Sequence, residues 1–437
     1  MATNIRKIAF ELLRSYEEEG RYVNLLLSSS KLSGLTKEEK SAVTALLYTA
    51  VEKKITYDYF TSAFSKRQIS EIDPYVRDIL RIGMCQIIDM KSIPDFAAVN
   101  ESVKLARHKG EAGFVNAVLR AVTKSKESLP YPKREKNPAR YLSVYYSVPL
   151  PTVKLFMGIV GDAECEALLS AMSNETGFSI TVNENKISRG ALLEKLSTFG
   201  AQASALTENG ITFEKSVSPR ELPGFLDGEF FVQDEASRIA ALVLDVQKGE
   251  KIIDVCSAPG GKAFLSAIKT GSEGSVSAFD VHESKISLIR DGAERLGLEN
   301  VSAGVRDATM PEKSEFECFD RVICDVPCSG LGVFGKKPDI RYKDISAIGE
   351  LPPLQYEILE KSSAYLKRGG VIVYSTCTIN PEENEGVTDK FLSLHPEFSY
   401  ESAAVCGIDF SKGHYTFMPH KNGTDGFYIA KLRKNND

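Results

Sequence analysis

Apolar residues recur at helical spacing throughout the first third of the chain. Residues 3–16 place them at i, i+3, i+4 and i+7, which is one face of a helix. Thr36 and Glu39 form a capping-box pattern before the next apolar stretch, and the pattern of alternation typical of strands is missing. Residues 1–130 are therefore predicted to form an all-α bundle.

Two further helix boundaries follow from proline and glycine. Asp73-Pro74 is typical of a helix start, because proline is tolerated in the first turn. Residues 99–122 predict two helices that break near Gly110 and Gly113.

The pattern changes after residue 127. Residues 128–138 hold three Pro and three Lys/Arg, so they predict an extended linker. Residues 139–230 combine a long helical stretch with short alternating segments. This region is predicted to be a small α+β domain.

From residue 231 apolar strands alternate with helical stretches. Such a pattern predicts a parallel sheet with both faces covered, and ligands bind at the carboxyl ends of its strands. The predicted strands are 251–256, 275–280, 301–305, 319–325 and 370–376.

Composition narrows the class of protein. Of the 437 residues, 43% are hydrophobic and 26% are charged, which is typical of a globular protein. No apolar run approaches the roughly 20 residues of a membrane span, and the charged start does not resemble a secretory signal. The eight Cys are too scattered for a disulfide scaffold or a zinc motif. We therefore expect a cytoplasmic protein without a metal.

Charge is distributed unevenly, although the net charge is only −5. Residues 1–130 hold 20 Lys/Arg against 16 Asp/Glu, whereas residues 231–437 hold 24 against 31. A basic first third suggests a module that meets a polyanion, although a chance imbalance explains the numbers equally well.

The first predicted strand of the sheet ends in a glycine-rich loop. Asp254-Val255-Cys256-Ser257-Ala258-Pro259-Gly260-Gly261-Lys262 precedes a helix, whose first N–H groups have no partners inside the helix. Asp280 ends the next strand and Asp307 follows the third, where carboxylates can accept hydrogen bonds from ribose and adenine. Each acid alone is more often a cap, but the ordered set favours a nucleoside-containing cofactor.

Two cysteines follow the fourth and fifth strands. Cys328 comes after Asp325, and Cys377 follows Thr376. Neighbouring strands would bring both thiols to one pocket; a disulfide and a zinc pair are the alternatives. The remaining thiols at 85, 165, 318, 324 and 406 are expected to be small core residues.

These motifs, in order, resemble those of the S-adenosylmethionine-dependent RNA cytosine-C5 methyltransferases. The resemblance covers FVQDEAS at 231–237, DVCSAPGGK, RDA, DVPCSGLG, STCTINPEENE and DGFYIAKL. The first 130 residues resemble the NusB-type RNA-binding helical domain, and the combination resembles the bacterial 16S rRNA methyltransferases of the RsmB (Fmu/Sun) type. The chain departs from the family pattern in having no Trp and in reading Ser147-Val148-Pro149 where the family has Ser-His-Pro.

The resemblance implies three domains and a site. The domains are a NusB-like bundle (1–130), an RRM-like α+β domain (139–230) and a Rossmann-like methyltransferase domain (231–437). Cys377 is implied as the nucleophile, and Cys328 as the residue that assists product release. We expect Lys262 and Asp325 to take part in catalysis. The residues implied for S-adenosylmethionine are Cys256, Ser257, Ala258, Pro259, Gly260, Gly261, Lys262, Asp280, Asp307 and Asp325.

Cytosine chemistry explains the need for a thiolate. C5 is a poor nucleophile until a thiolate adds to C6, yet a free Cys is only about 3% ionised at pH 7. The site must therefore lower that pKa or remove the proton, and Lys262 is a candidate cation. Asp325 is a candidate partner for N3 or the exocyclic amine of the base.

The expected partner is RNA, most simply 16S rRNA, bound by a monomer. The target base must leave its stack, which favours single-stranded or loop RNA. A basic patch of Lys336, Lys337, Arg341 and Lys343 either contacts phosphates or is a solvated loop. A tRNA methyltransferase and an inactive NusB-like RNA-binding protein are the competing hypotheses, and the two cysteines argue against the second.

Overall fold

The computed structural model of the chain describes residues 5–28, 30–174, 177–214, 217–335 and 338–436. The chain separates into two compact units. The first comprises Met1–Ser170 with Lys337–Lys343, and the second comprises Ala171–Lys336 with Asp344–Asp437.

The first unit is helical, as predicted. Its apolar helix faces bury one core, which includes Leu12, Leu47, Phe60 and Leu119. Its helices, with a tenth that ends in the second unit, are α1 (Ile5–Glu19), α2 (Val23–Leu27), α3 (Lys37–Glu52), α4 (Lys54–Ser65), α5 (Pro74–Met84), α6 (Asp95–Val103), α7 (Lys109–Lys124), α8 (Pro138–Tyr145), α9 (Leu150–Val160) and α10 (Asp162–Ser173).

The capping box at Thr36 and the start of α5 at Asp73-Pro74 are confirmed. The two helices predicted over residues 99–122 are confirmed as α6 and α7, but the break does not lie at Gly110 and Gly113, because both glycines are inside α7. The chain turns at residues 104–108 instead, where the His108 side chain caps the new helix.

Residues 128–137 contain no helix or strand, as the proline content predicted. The segment is nevertheless anchored, because the ring of Tyr131 packs edge-on against Phe60 with centroids 5.1 Å apart.

The predicted basic patch is only partly right. Lys343 is exposed, but Arg341 in α15 (Pro338–Arg341) is 2% exposed. Its guanidinium donates to the Tyr146 carbonyl and lies 3.1 Å from Glu52, so it is used inside the first unit and is unavailable to phosphates. Lys336 and Lys337 lie outside the described residues.

Next to Arg341, the Tyr342 hydroxyl donates to the Glu52 carbonyl and lies 2.8 Å from the Ser147 hydroxyl. Ser147 belongs to the Ser-Val-Pro departure from the family pattern, and its hydroxyl also accepts from the Ile55 N–H.

A buried ion network crosses the helical core. Arg81, 4% exposed, contacts Asp58 and Asp78, and Asp78 also accepts from Arg14. Each carboxylate here is stabilised by a guanidinium that replaces lost hydration, so removing one partner leaves an uncompensated buried charge.

The second unit begins with a small antiparallel sheet, as predicted for the middle region. Its strands lie in the order β2-β3-β1-β4, and α11 packs on the same core. The elements are β1 (Phe178–Val182), α11 (Arg189–Lys195), β2 (Ala201–Ala203), β3 (Gly210–Phe213) and β4 (Phe230–Val232).

A single buried arginine links this small sheet to the next helix. Arg238 lies in α12 (Glu235–Val243), is fully buried, and donates to the Thr181 and Thr207 hydroxyls and to the Ile180 carbonyl. Burial lowers the pKa of its guanidinium to about 10. Gly210 is required beside it, because a Cβ there would come within 2.0 Å of the Arg238 guanidinium.

The larger sheet has the predicted strands at nearly the predicted positions. Helices cover it on both sides, with one apolar cluster on each face. The remaining elements are β5 (Lys251–Asp254), α13 (Gly261–Thr270), β6 (Ser275–Asp280), α14 (Glu283–Leu296), β7 (Val301–Val305), β8 (Phe319–Asp325), α16 (Leu351–Ser363), β9 (Leu366–Thr376), α17 (Glu385–Leu394), β10 (Phe398–Tyr400), β11 (Ala403–Val405), β12 (Ile408–Phe410), β13 (His414–Phe417), α18 (Pro419–Asn422) and β14 (Phe427–Lys434).

The strand order is β10-β14-β9-β8-β5-β6-β7, and β13 pairs with β14. The strands from β9 to β7 are parallel, and β14 joins β9 antiparallel. The order reverses between β5 and β8, and in such sheets this is where the ligand crevice opens. Within the described ranges, no helix has the length and apolar character needed to cross a membrane.

We predict that Arg81→Leu lowers the free energy of unfolding by about 3–5 kcal/mol, because Asp58 loses its guanidinium partner and the buried Asp78 keeps only Arg14. Urea unfolding followed by circular dichroism measures the change. Arg21→Leu is the matched control, since its ion pair with Glu19 is exposed on both sides and contributes at most about 1 kcal/mol. Equal losses in the two variants would contradict the importance of the buried network.

Candidate active site

Two sulfur atoms meet at the carboxyl ends of neighbouring strands. β8 and β9 pair in parallel with Asp325 opposite Ser375, so the residues that follow both strands leave the sheet at the same edge. The structure brings Cys328 and Cys377 together there, with their sulfur atoms 3.2 Å apart. Both thiols are half-buried and unoxidised.

The Cys328 thiol holds its proton. The hydrogen bond with Cys377 raises the pKa of Cys328 well above its ordinary value, and burial and the charge of Glu383 raise it further. Cys328 therefore stays a thiol and can donate a hydrogen bond to the Cys377 sulfur.

Glu383 holds the loops that carry the thiols. Its side chain is fully buried and accepts from the Ser329 N–H and hydroxyl at 2.8 and 2.6 Å. It also accepts from the side-chain amides of Asn380 and Gln355. One carboxylate thus connects the loop after β8, the loop after β9 and α16, and fixes the position of Cys328 relative to Cys377.

The Cys377 loop is also fixed through its backbone. Gly332 donates its N–H to the Cys377 carbonyl, and Gly426 donates to the Gly332 carbonyl. A Cβ on Gly332 would lie 1.8 Å from the Gly426 carbonyl oxygen, so this contact requires glycine. The DGFYIAKL motif thereby packs against the loop that follows Cys328.

Lys262 and Asp325 form an ion pair beside the thiols. The Lys262 ammonium donates to Asp325 at 2.6 Å and to the Ser237 hydroxyl at 3.0 Å. The other Asp325 oxygen accepts from the Ser375 hydroxyl, yet about a third of the side chain stays exposed. Asp325 is thus oriented by two donors with part of its surface open to a ligand.

The glycine-rich loop adopts the conformation that its glycines allow. Gly260 has a φ of 110°, and a Cβ there would meet the Phe264 ring at 2.5 Å. α13 begins at Gly261, so its first N–H groups point toward the crevice without helical partners.

Several buried polar groups around this loop lack partners within the described residues. They are both Asp254 carboxylate oxygens, the Ser257 hydroxyl and the Gln233 side-chain amide nitrogen. Burial raises the pKa of Asp254 to about 7. Unpartnered polar groups around an open glycine loop fit a polar ligand that completes their hydrogen bonds.

The two acids predicted for the cofactor lie at the same sheet edge. Asp280 is buried at the end of β6 and accepts from the His282 N–H, and Asp307 is exposed after β7. Beside them, Val281 and Met310 are exposed apolar side chains.

The other cysteines are mostly structural. Cys85, Cys165 and Cys324 are buried, as expected. The prediction for Cys318 is wrong, because its side chain is exposed after β7, and Cys406 is only half-buried. Cys256 in the glycine loop is half-buried, and desolvation raises its pKa well above the ordinary value, so it stays a thiol.

Four residues of the site were not singled out from the sequence. Asp254, Gln233 and Ser237 stand within recognised motifs, and Glu383 lies in NPEENE, but their neighbours come from distant parts of the chain. A positional signal was available for Asp254, which is the last residue of β5 at the ligand edge. Gln233 follows β4 of the small sheet and Glu383 lies several residues beyond β9, so position alone did not mark them.

We predict that Asp254→Asn gains stability over the natural chain as pH rises from 4 to 7. The folded pKa of about 7 exceeds the unfolded value near 3.8, so the natural chain loses up to about 4 kcal/mol over this window. The amide does not titrate and escapes this loss. Thermal or urea unfolding of both proteins across this pH range measures the difference.

Asp320→Asn is the matched control with the opposite sign. Hydrogen bonds from the Lys251 N–H and from Lys367 outweigh burial and lower the Asp320 pKa. Its Asn variant should lose stability relative to the natural chain as pH rises. If the stability difference between Asp254→Asn and the natural chain did not change with pH, the Asp254 carboxyl of the natural chain would have the same pKa in the folded and unfolded states.

Comparison with known proteins agrees with this architecture. A family model described as 16S rRNA methyltransferase RsmB/F matches residues 241–433, and the NusB family model matches residues 3–124. The chain is 34% identical to the probable ribosomal RNA small subunit methyltransferase B of Bacillus subtilis (strain 168), with 99% of each chain covered. It is 32% identical to the protein of the same name in Synechocystis sp., covering 98% of this chain and 99% of the relative.

One solved structure is similar to this chain over its whole length. The crystal structure of PH0851 superposes with a TM-score of 0.79 at 25% identity, covering 99% of this chain and all of that one. With a helical NusB region, a methyltransferase sheet and full-length relatives above 30% identity, the chain belongs to the RsmB family of ribosomal RNA small subunit methyltransferases.

Proposed function

We propose that this enzyme transfers a methyl group from S-adenosylmethionine to C5 of a cytosine in 16S rRNA, through a covalent bond between Cys377 and C6. The observation that carries the proposal is the pair of thiols 3.2 Å apart at the ligand edge of the sheet. One thiol is enough to add to C6 of the ring, and a second thiol is available to remove the C5 proton.

The cofactor site is the crevice between β5 and β8. The loop from Cys256 to Lys262, with Asp280 and Asp307, would hold S-adenosylmethionine, and Asp254 and Gln233 add unpartnered polar groups. When bound, the cofactor supplies a methyl group on a positively charged sulfur.

Cys377 begins the reaction on the base. Its thiolate forms the S–C6 bond, and the C5–C6 electron pair moves to C5, which then bonds the methyl carbon as the methyl–sulfur pair leaves with the cofactor. The ring nitrogen N3 gains a proton from solvent as Cys377 adds. Asp325, held by Lys262 and Ser375, accepts a hydrogen bond from the exocyclic amine and orients the ring.

Cys328 then ends the covalent state. Once Cys377 is a thioether it no longer carries charge, so the interaction that raises the Cys328 pKa weakens. Cys328 can then release its proton to solvent and take the proton from C5. The C5–C6 double bond re-forms, the S–C6 pair returns to Cys377 and the N3 proton is lost.

The names of the relatives support the choice of RNA. The relatives in Bacillus subtilis and Synechocystis are both named probable ribosomal RNA small subunit methyltransferase B, and the similarity covers 99% of each relative. Carried to this chain, this favours 16S rRNA over tRNA as the substrate and a cytoplasmic place of action.

We expect Cys377→Ala to abolish methyl transfer to 16S rRNA while leaving the affinity for S-adenosylmethionine within about twofold, because the thiol touches the base rather than the loop after β5. Tritium transfer and isothermal titration measure the two properties. Cys318→Ala, the exposed cysteine, is the control and should keep full activity. Turnover by Cys377→Ala would remove the proposed nucleophile.

Cys328→Ala should accumulate a protein–RNA adduct, because the S–C6 bond forms but the C5 proton cannot leave. With RNA and cofactor present, a band that survives denaturing electrophoresis and disappears after ribonuclease treatment identifies it. The double variant Cys328→Ala/Cys377→Ala should give no such band. An adduct in the double variant would place the covalent bond on another residue.

A further inference from the structure

A groove in the first unit lies between α6 and α7, and its lining contains none of the residues proposed for catalysis. Its volume is about 240 Å³, below the roughly 300–1,000 Å³ of sites that enclose a whole small-molecule ligand. The lining residues are Asp95, Phe96, Val99, Asn100, Arg120, Thr123 and Lys124.

The groove presents an aromatic ring to solvent. Phe96 is 72% exposed on α6, although its neighbour Val99 is buried in the core. An exposed phenyl ring without an apolar surround is unfavourable in water, and a planar partner that stacks on it would remove this exposure.

The polar groups beside the ring are positive or amide in character. Arg120 and Lys124 stand one turn apart on α7 with no carboxylate within 4 Å in the described part of the chain. Asp95, the acid of the groove, is paired with Lys126 at 3.1 Å. Asn100 is exposed and offers both a donor and an acceptor.

We propose that this groove binds one unstacked nucleotide of single-stranded RNA. The base stacks on Phe96, the Asn100 amide bonds its edge, and Arg120 and Lys124 contact the flanking phosphates. A partner helix would need a broad apolar face, whereas one ring among cations suits a nucleotide. The inference rests on the proposal that the substrate is RNA. It assigns to the helical unit one specific contact with that RNA.

Phe96→Ala in the full-length protein tests the stacking. The probe is a fluorescein-labelled cytidine 12-mer, with a 16S rRNA transcript as the second ligand. Loss of one stacked base should weaken binding of the 12-mer about tenfold or more in fluorescence anisotropy. Tyr22→Ala is the control, since Tyr22 is 61% exposed on another part of the unit, and it should bind normally. Circular dichroism checks the fold of both variants.

Lys124→Gln tests the phosphate contact. It should reduce the slope of log affinity against log salt by about 0.7, whereas Lys40→Gln, an exposed lysine on α3, should leave the slope unchanged. The groove proposal is overturned if Phe96→Ala binds the 12-mer with an affinity within twofold of the natural chain. It is also overturned if Lys124→Gln leaves the salt slope unchanged. Normal RNA binding with lost binding to purified small-subunit proteins would assign the groove to a protein partner instead.

The test also separates this inference from the proposed function. At saturating 16S rRNA, Phe96→Ala should keep its kcat and raise only KM, whereas Cys377→Ala should bind the 12-mer normally and transfer no methyl. If the natural chain methylates 16S rRNA and Phe96→Ala does so with the same KM, only the groove proposal is refuted. If the natural chain binds neither the 12-mer nor the 16S rRNA transcript, the groove and the proposed function are both refuted.

Discussion

The parallel pairing of β8 with β9 is the constraint on which the site depends. Hydrogen bonds along the two strands set Asp325 opposite Ser375, and this register determines where each following loop begins. A slip of one residue would turn the strand-end side chains to the opposite face of the sheet. Because both strands are buried in the core, the register is strongly specified, and two sulfur atoms 49 positions apart in the chain become neighbours.

Buried polar groups then hold the two neighbouring thiols in place and keep Cys328 protonated. Four hydrogen-bond donors offset the desolvation cost of the buried Glu383, and its charge in turn helps to keep Cys328 protonated. Around the glycine loop, the side-chain oxygens of Asp254 and Ser257 are buried without hydrogen-bond partners among the residues that the structure describes. The loops that carry the thiols are thus held by internal hydrogen bonds, whereas the glycine loop keeps polar groups that an exchangeable ligand could satisfy.

Much of this arrangement could be predicted from local sequence. The capping box, the strands of the larger sheet and the glycine loop follow from periodicity and turn chemistry, which depend on neighbours in the chain. The break assigned to Gly110 and Gly113 failed because an exposed first turn tolerates glycine and His108 supplies the cap. Arg341 was misjudged for a different reason: its charge is compensated by Glu52, almost 300 residues away, and no local pattern reveals such a partner.

Arg238 has a consequence for how this protein can be recombined. Its guanidinium is hydrogen-bonded to side chains of the small sheet, and Gly210 leaves just enough room for it. If the small domain were exchanged for that of a relative, the buried Arg238 would lose its hydrogen-bond partners unless Arg238 and Gly210 were exchanged together. The small sheet and α12 must therefore be exchanged as one block, because a chimera joined at residue 231 would separate Arg238 from the side chains that hold it.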